Sequence, residues 1–302
     1  MVTRRERVLR RLFRPLERLG LHVTPVHFYQ PVPDTGRLPE SLWAEPSALV
    51  GVDWNAEGQL ARLEDFQEHF RDEYTAFAVG ATSDPTEFHL DNEQFSKVDA
   101  EALYCMVRQL RPQRVIEIGS GNSTLLTARA IRVNASEDPT YRCRFTAIEP
   151  YPNEVISRGV DGLTELMAKP VQEVGPDVFA ELGENDLLFI DSSHVLKIGS
   201  DVQYEFLEVL PRLAAGVVVQ IHDVFLPNEY PRHLVLDWHQ FWTEQYLVQA
   251  FLSFNTSFEV LWSSAWLHAR HPDLLAAAFP SYRGIGWPTG LPPSSLWLRR
   301  TA

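Results

Sequence analysis

Apolar and polar positions follow two regimes along this chain, with the change falling near residue 114. In the first twenty residues Leu9, Leu12, Phe13, Leu16 and Leu19 recur at helical spacing and predict a short amphipathic helix. Residues 21–100 read as an irregular cap. Its Pro25–Asp34 stretch holds three prolines, which exclude a regular helix or a central strand. Within the cap a helix is expected from about Asn55 to Tyr74, with Leu60, Leu63, Phe66 and Phe70 on one face, and another over about Lys97–Arg111.

Past Arg114 the pattern becomes strand–helix alternation, which signals an α/β fold with a parallel sheet covered by helices. Strands are predicted at Val115–Ile118, Arg144–Ile148, Pro170–Val174, Asp186–Ile190 and Gly216–Ile221. The last two are almost wholly apolar, as strands buried on both faces must be. Helices are expected through Leu125–Arg132 and Tyr204–Leu213, and the aromatic segment with Trp238, Phe241, Trp242 and Tyr246 reads as helical. Phe258–Trp262 and Ser294–Leu298 supply two final strands.

Charge narrows the partners. The net charge of −13 argues against a nucleic-acid enzyme, because a phosphate backbone demands a basic face. The amino terminus departs from that balance: Arg4, Arg5, Arg7, Arg10, Arg11, Arg14 and Arg18 face only Glu6 and Glu17. Such a helix suits a peripheral membrane or partner contact, and equally a terminal helix lying on its own acidic body. No apolar run is long enough to cross a bilayer, and no uninterrupted apolar stretch follows the arginines, so a signal peptide is not expected. Cys105 and Cys143 form no CxxC pair, which fits a reduced, cytoplasmic setting. Cys105 belongs to the apolar face of its helix, and His27 is a lone histidine expected to be structural.

The candidate chemistry sits at predicted strand ends. Glu117-Ile118-Gly119-Ser120-Gly121-Asn122-Ser123-Thr124 follows the first strand and opens a helix, where glycine permits a sharp turn and free amides favour an anionic ligand group. Thr124 stands where a dinucleotide fingerprint would place its third glycine, so a nucleotide-binding oxidoreductase is disfavoured. Glu149 ends the second strand, where a carboxylate can accept hydrogen bonds from ribose hydroxyls. Asp191, His194, His222 and Asp223 follow the fourth and fifth strands and face the same crevice. Three accounts of this quartet stay open: two carboxylates and an imidazole (Asp191, His222, Asp223) holding a divalent cation, His194 or His222 acting as general base without metal, or a structural role. Val224–Pro231, with Trp238 and Trp242, could cover an organic acceptor or simply pack; Phe88–Phe95 could close over the cofactor.

Together with Phe189–His194 and Ile221–Phe225, the Val115–Thr124 motif resembles class I S-adenosylmethionine (SAM)-dependent methyltransferases. Within them it is similar to the bacterial group with cephalosporin-hydroxylase-like and macrolide-sugar O-methyltransferases. The resemblance implies a Rossmann-like doubly wound sheet, mostly parallel with a final antiparallel strand, plus an N-terminal cap. It divides the chain into residues 1–95, basic helix and cap, and 96–302, the SAM-binding methyltransferase domain. It implies that Glu117, Gly119, Ser120, Gly121 and Ser123 bind the methionine part of SAM, with Glu149 on the ribose and Asp191 beside the cofactor. Related enzymes place acids at the metal-binding strand ends; His222 replaces one here, so magnesium, manganese, iron or zinc are all conceivable. The expected reaction is O-methylation of a small-molecule hydroxyl in specialised metabolism. Metal-free N- or C-methylation and a SAM-binding scaffold without turnover stand as alternatives. The acceptor and the oligomeric state, a homo-oligomer included, are left open.

Overall fold

The computed structural model describes residues 4–284 and 290–302, and side chains from Leu9 onward apart from Arg10. The side chains of Arg4, Arg5, Glu6, Arg7 and Arg10 therefore lie outside the described residues. Two compact units emerge, residues 1–45 with 230–241, and residues 46–229 with 242–302.

The smaller unit begins with helix α1 (Arg4–Glu17), which carries Pro15 inside it. The three prolines after it enforce open chain as expected, apart from the turn Thr35–Arg37. A short helix at Arg232–Leu236 belongs to this unit, where Trp43 Nε1 donates to the Tyr230 carbonyl (3.0 Å) and Arg232 pairs with Glu40 (3.2 Å).

In the larger unit, α2 (Ala56–Tyr74) and α3 (Asp99–Leu110) precede β1 (Arg114–Ile118). Then follow α4 (Asn122–Glu137), β2 (Arg144–Ile148), β3 (Glu165–Met167), β4 (Leu187–Ile190), β5 (Val218–Ile221), α5 (Glu244–Leu252), β6 (Phe258–Ser263), α6 (Ser264–Arg270) and β7 (Leu296–Arg300). The sheet runs β3-β2-β1-β4-β5-β7-β6. β1 to β5 pair in parallel; β7 runs antiparallel to both β5 and β6. This is the Rossmann-like sheet with one reversed strand that the resemblance implied. Because every residue of β4 and β5 is buried, both sheet faces are covered, which explains their unbroken apolar sequence. Cys105 is fully buried on α3.

Three expectations need correcting. The third strand is Glu165–Met167, paired with Thr146–Ile148, while Val171–Glu173 is a 3-10 turn. Pro170 offers no N–H to a ladder, and Val171 and Val174 are buried as turn residues. Residues 201–212 are helical but not one α-helix: an α-turn, Asp201–Tyr204, passes into a π-turn, Glu205–Val209, and a 3-10 turn, Leu210–Arg212. The aromatic segment is helical only at Arg232–Leu236 and along α5, which leaves Trp238, Phe241 and Trp242 in open chain.

Candidate active site

The tips of β1, β2, β4 and β5 lie side by side because the ladder continues past the strands. Gly119 N donates to the Ile148 carbonyl (3.0 Å), Asp191 N to Ile118 (2.9 Å), Glu149 N to Met167 (3.1 Å) and His222 N to Ile190 (2.9 Å). These bonds set Gly119, Glu149, Asp191 and His222 at neighbouring strand ends.

On one side is a cavity of about 520 Å³ whose lining includes Gly119, Glu149, Tyr151, Gln172, Asp191 and Lys197. Gly119 is the glycine this turn requires: its φ is +91°, and a Cβ there would run into the Asp191 carbonyl oxygen. Gly121 is different. Its φ of 173° is ordinary extended backbone, and a Cβ would meet only Gln94 Oε1 at 3.5 Å. Thr124 earns its place over a third glycine, since its Oγ1 accepts the Gly121 amide proton (2.9 Å). Glu117 is buried at the base of the turn. Ser123 Oγ donates to its Oε1 (2.6 Å), whereas Oε2, like Ser120 Oγ, is buried without a partner. Burial, with the charges of Asp191 and Glu149 nearby, pushes the Glu117 carboxyl up to about 8. An unpartnered buried acceptor in a carboxyl that can ionise is the complement of a ligand's ammonium group.

On the other side, two imidazoles stand among carboxylates. His194 Nδ1 lies 2.9 Å from Glu244 Oε2, and its Nε2 lies 3.4 Å from both Asp191 and Asp223. His222 Nδ1 is 3.5 Å from Asp191 and 3.7 Å from Asp223, and its Nε2 is 3.6 Å from Asp99. Burial opposes charge on both imidazoles, yet the surrounding carboxylates outweigh it and hold both well above the usual histidine range. Burial likewise works against the Asp191 carboxylate, but His222 and His194 win and hold it far below its ordinary value. His194 (φ 58°) and Asp223 (φ 56°) both occupy the left-handed region, a strained conformation sustained only where surroundings enforce it.

Those surroundings are visible. Asp201 accepts from Ser193 N (2.9 Å) and Ser193 Oγ (2.6 Å), pinning the turn after β4. The His194 carbonyl accepts the amides of Thr243 (2.9 Å) and Glu244 (3.1 Å) at the start of α5, and Trp242 packs on its ring at 4.6 Å. Ser294 Oγ donates to Asp223 (3.1 Å), and Phe95 lies 5.0 Å from the His222 ring. Little space is left: the hollow that includes His222 and Asp223 in its wall holds about 40 Å³.

Among the described residues, ligand atoms of Asp191, His194 and Asp223 gather within 4.8 Å of one another, and His222 Nδ1, the imidazole nitrogen expected there, lies 3.5 and 3.7 Å from the same two carboxylates. Sequence reasoning missed Glu244 and Asp99. Asp99 accepts from the amides of Ser294 (2.9 Å) and Ser295 (3.0 Å), and only its place at the start of a helix marked it. No local signal marked Glu244, fifty residues from its partner. From the Phe88–Phe95 stretch, Asn92 and Gln94 touch the Asn122 amide at the glycine turn (3.2 and 3.5 Å). His27 stacks on Phe28 at 4.3 Å in the small unit.

Comparison with known proteins finds a methyltransferase domain in the sheet region. Residues 116–224 match a methyltransferase domain family. An uncharacterised protein of Archaeoglobus fulgidus is 32% identical over 174 residues, spanning 55% of this chain and 76% of its own. Among solved structures, a TDP-rhamnose 3'-O-methyltransferase of calicheamicin biosynthesis is 13% identical, covering 87% of this chain and 99% of its own, with a TM-score of 0.42. The O-methyltransferase of Bacillus cereus in complex with S-adenosylhomocysteine is 13% identical, covering 80% and 91%, with a TM-score of 0.38. Residues 116–224 are a methyltransferase domain, built on the Rossmann-like sheet described above.

Proposed function

We propose that this enzyme methylates a hydroxyl of a small organic acceptor, with His194 as the base. One observation carries the reading: Asp191 lines the 520 Å³ cavity and also stands 3.4 Å from His194 Nε2. The cofactor, when bound, supplies an electrophilic methyl on its sulfonium. Glu117 Oε2 and the amides after Gly119 would receive its amino-acid part, and Glu149 its ribose. Asp191 and Asp223 orient the acceptor hydroxyl towards His194 Nε2, which takes the proton in its neutral form. Because the surrounding carboxylates raise its pKa, that form, and turnover with it, gains as pH rises, while Glu244 holds the opposite ring nitrogen. Residues 96–302 carry this chemistry, and residues 1–95 contribute to acceptor choice.

The experiment is S-adenosylhomocysteine release with sugar, phenol and polyketide alcohols as acceptors. Asp223→Ala should cut turnover by about a hundredfold or more while leaving calorimetric SAM affinity unchanged. Retained turnover in that variant contradicts the reading. A second reading, favoured by the Asp191–His194–Asp223 group, gives the site a divalent cation that would polarise the hydroxyl. Spacings of 3.4 Å between donors and the mixed N/O set fit manganese, iron or zinc. Turnover lost to chelation and restored by one metal supports it; indifference to chelation removes it.

A further inference from the structure

We propose that residues 4–32 form a docking face for a bilayer surface carrying anionic phospholipid. Three features of the small unit lead there. First, α1 divides its side chains by position: Leu9, Leu12, Phe13 and Leu16 form one stripe and Arg11 falls on the opposite side, while Arg14 reaches the cleft described below and Arg18 follows just past the helix end. Second, the segment after the helix turns apolar groups outward. Leu19 and Val26 are 74% exposed, Phe28 80% and Tyr29 81%. Apolar groups so exposed, close together and beside arginines, are the mark of an interaction surface. Third, a cleft of about 460 Å³ opens between α1 and this segment, lined by Leu9, Phe13, Val23 and Pro25 together with Arg14 and His27. An apolar trough with a guanidinium in its wall suits an acyl chain whose phosphate meets the arginine.

Charge selects the occupant. The first twenty residues hold seven arginines against two glutamates, in a chain whose net charge is −13. A negatively charged membrane attracts that end and repels the rest, so electrostatics orients the molecule as well as binding it. A nucleic acid would use the arginines but leave Leu19, Val26, Phe28 and Tyr29 in water, whereas the bilayer interface buries them. Among the described residues no helix is long and apolar enough to cross a membrane, so the contact is peripheral.

The test is co-sedimentation of the full chain with vesicles of phosphatidylcholine alone and of phosphatidylcholine mixed with phosphatidylglycerol. Binding is expected only to the phosphatidylglycerol vesicles and should fall as salt screens the charges. The triple substitution Arg11→Glu, Arg14→Glu, Arg18→Glu should lower partitioning by about a hundredfold. Phe28→Ser with Tyr29→Ser should lower it by about tenfold. Calorimetric SAM affinity should stay the same in both variants, because the substituted side chains lie outside the crevice. Absence of binding to anionic vesicles, equal binding to neutral ones, a triple variant that binds like the parent, or binding to single-stranded RNA in place of vesicles would each overturn the proposal.

Discussion

The two halves of the crevice solve opposite problems with neighbouring strand tips. The half at β1 and β2 is space: a glycine turn, a cavity of about 520 Å³, and a buried carboxyl with one oxygen unpartnered. The half at β4 and β5 is charge: two imidazoles and four carboxylates (Asp99, Asp191, Asp223, Glu244) that contact one another and leave about 40 Å³ in the adjoining hollow. Both halves keep buried polar atoms unpartnered, Glu117 Oε2 and Ser120 Oγ in the first and His222 Nδ1 and Glu244 Oε1 in the second, but only the first has room for a large ligand. Binding affinity for the cofactor should therefore be decided on one side and reactivity on the other.

The sharpest way to break this division is Gly119→Ala. The added Cβ collides with the Asp191 carbonyl, and φ of +91° is strained for any L residue. SAM affinity should fall by about a hundredfold and the melting temperature should drop, while Gly121→Ala, with room for its Cβ, should keep the melting temperature. Calorimetry and thermal melts of the pair check this; equal behaviour would show that the turn is not the constraint.

A smaller effect distinguishes the unpartnered carboxyl. Glu117 is raised to about 8 by burial, so its carboxyl is neutral at lower pH. A cationic amino group favours its ionised form, so binding releases a proton and SAM affinity should climb with pH and level off near 8. Glu117→Gln should weaken binding about tenfold above that value and flatten the profile. An unchanged slope in the variant would assign the pH dependence elsewhere.

The least disruptive probe lies beneath the charged half. Glu205, whose Oε2 accepts from Ser192 Oγ (3.0 Å), is raised above the ordinary carboxylate range, first by burial and then by repulsion from Glu244 and Asp201. An acid with a raised folded pKa costs no stability below its unfolded value and loses stability as pH rises from there towards the folded value. Glu205→Gln keeps an acceptor for Ser192 and removes that loss. Its melting temperature should exceed the parent's by roughly 2–4 °C at neutral pH and match it in acid. A difference that persists in acid would refute the electrostatic origin.

Legibility in the sequence followed buried area and chain separation. β4 and β5 were readable because burial on both faces writes continuous apolar runs. β3 was not, because three half-buried residues at the sheet edge write no pattern, whereas the turn that follows buries Val171 and Val174. Asp191, His194, His222 and Asp223 were legible because the ends of adjacent parallel strands share a crevice. That His194, with its left-handed φ, turns Nε2 towards Asp191 and Asp223 depends on Glu244 and on the amides opening α5, a contact across fifty residues that no local pattern records. Gly119 and Gly121 look alike in sequence and differ in the fold, since of the two only Gly119 abuts another backbone.

That abutment joins the halves mechanically. With nothing but a hydrogen atom between the turn after β1 and the carbonyl of Asp191, the acid cannot shift inward unless the turn yields with it. Whatever seats itself against the turn also stiffens the acid's footing, so an occupied nucleoside pocket would stand as the scaffold on which the second substrate is aligned.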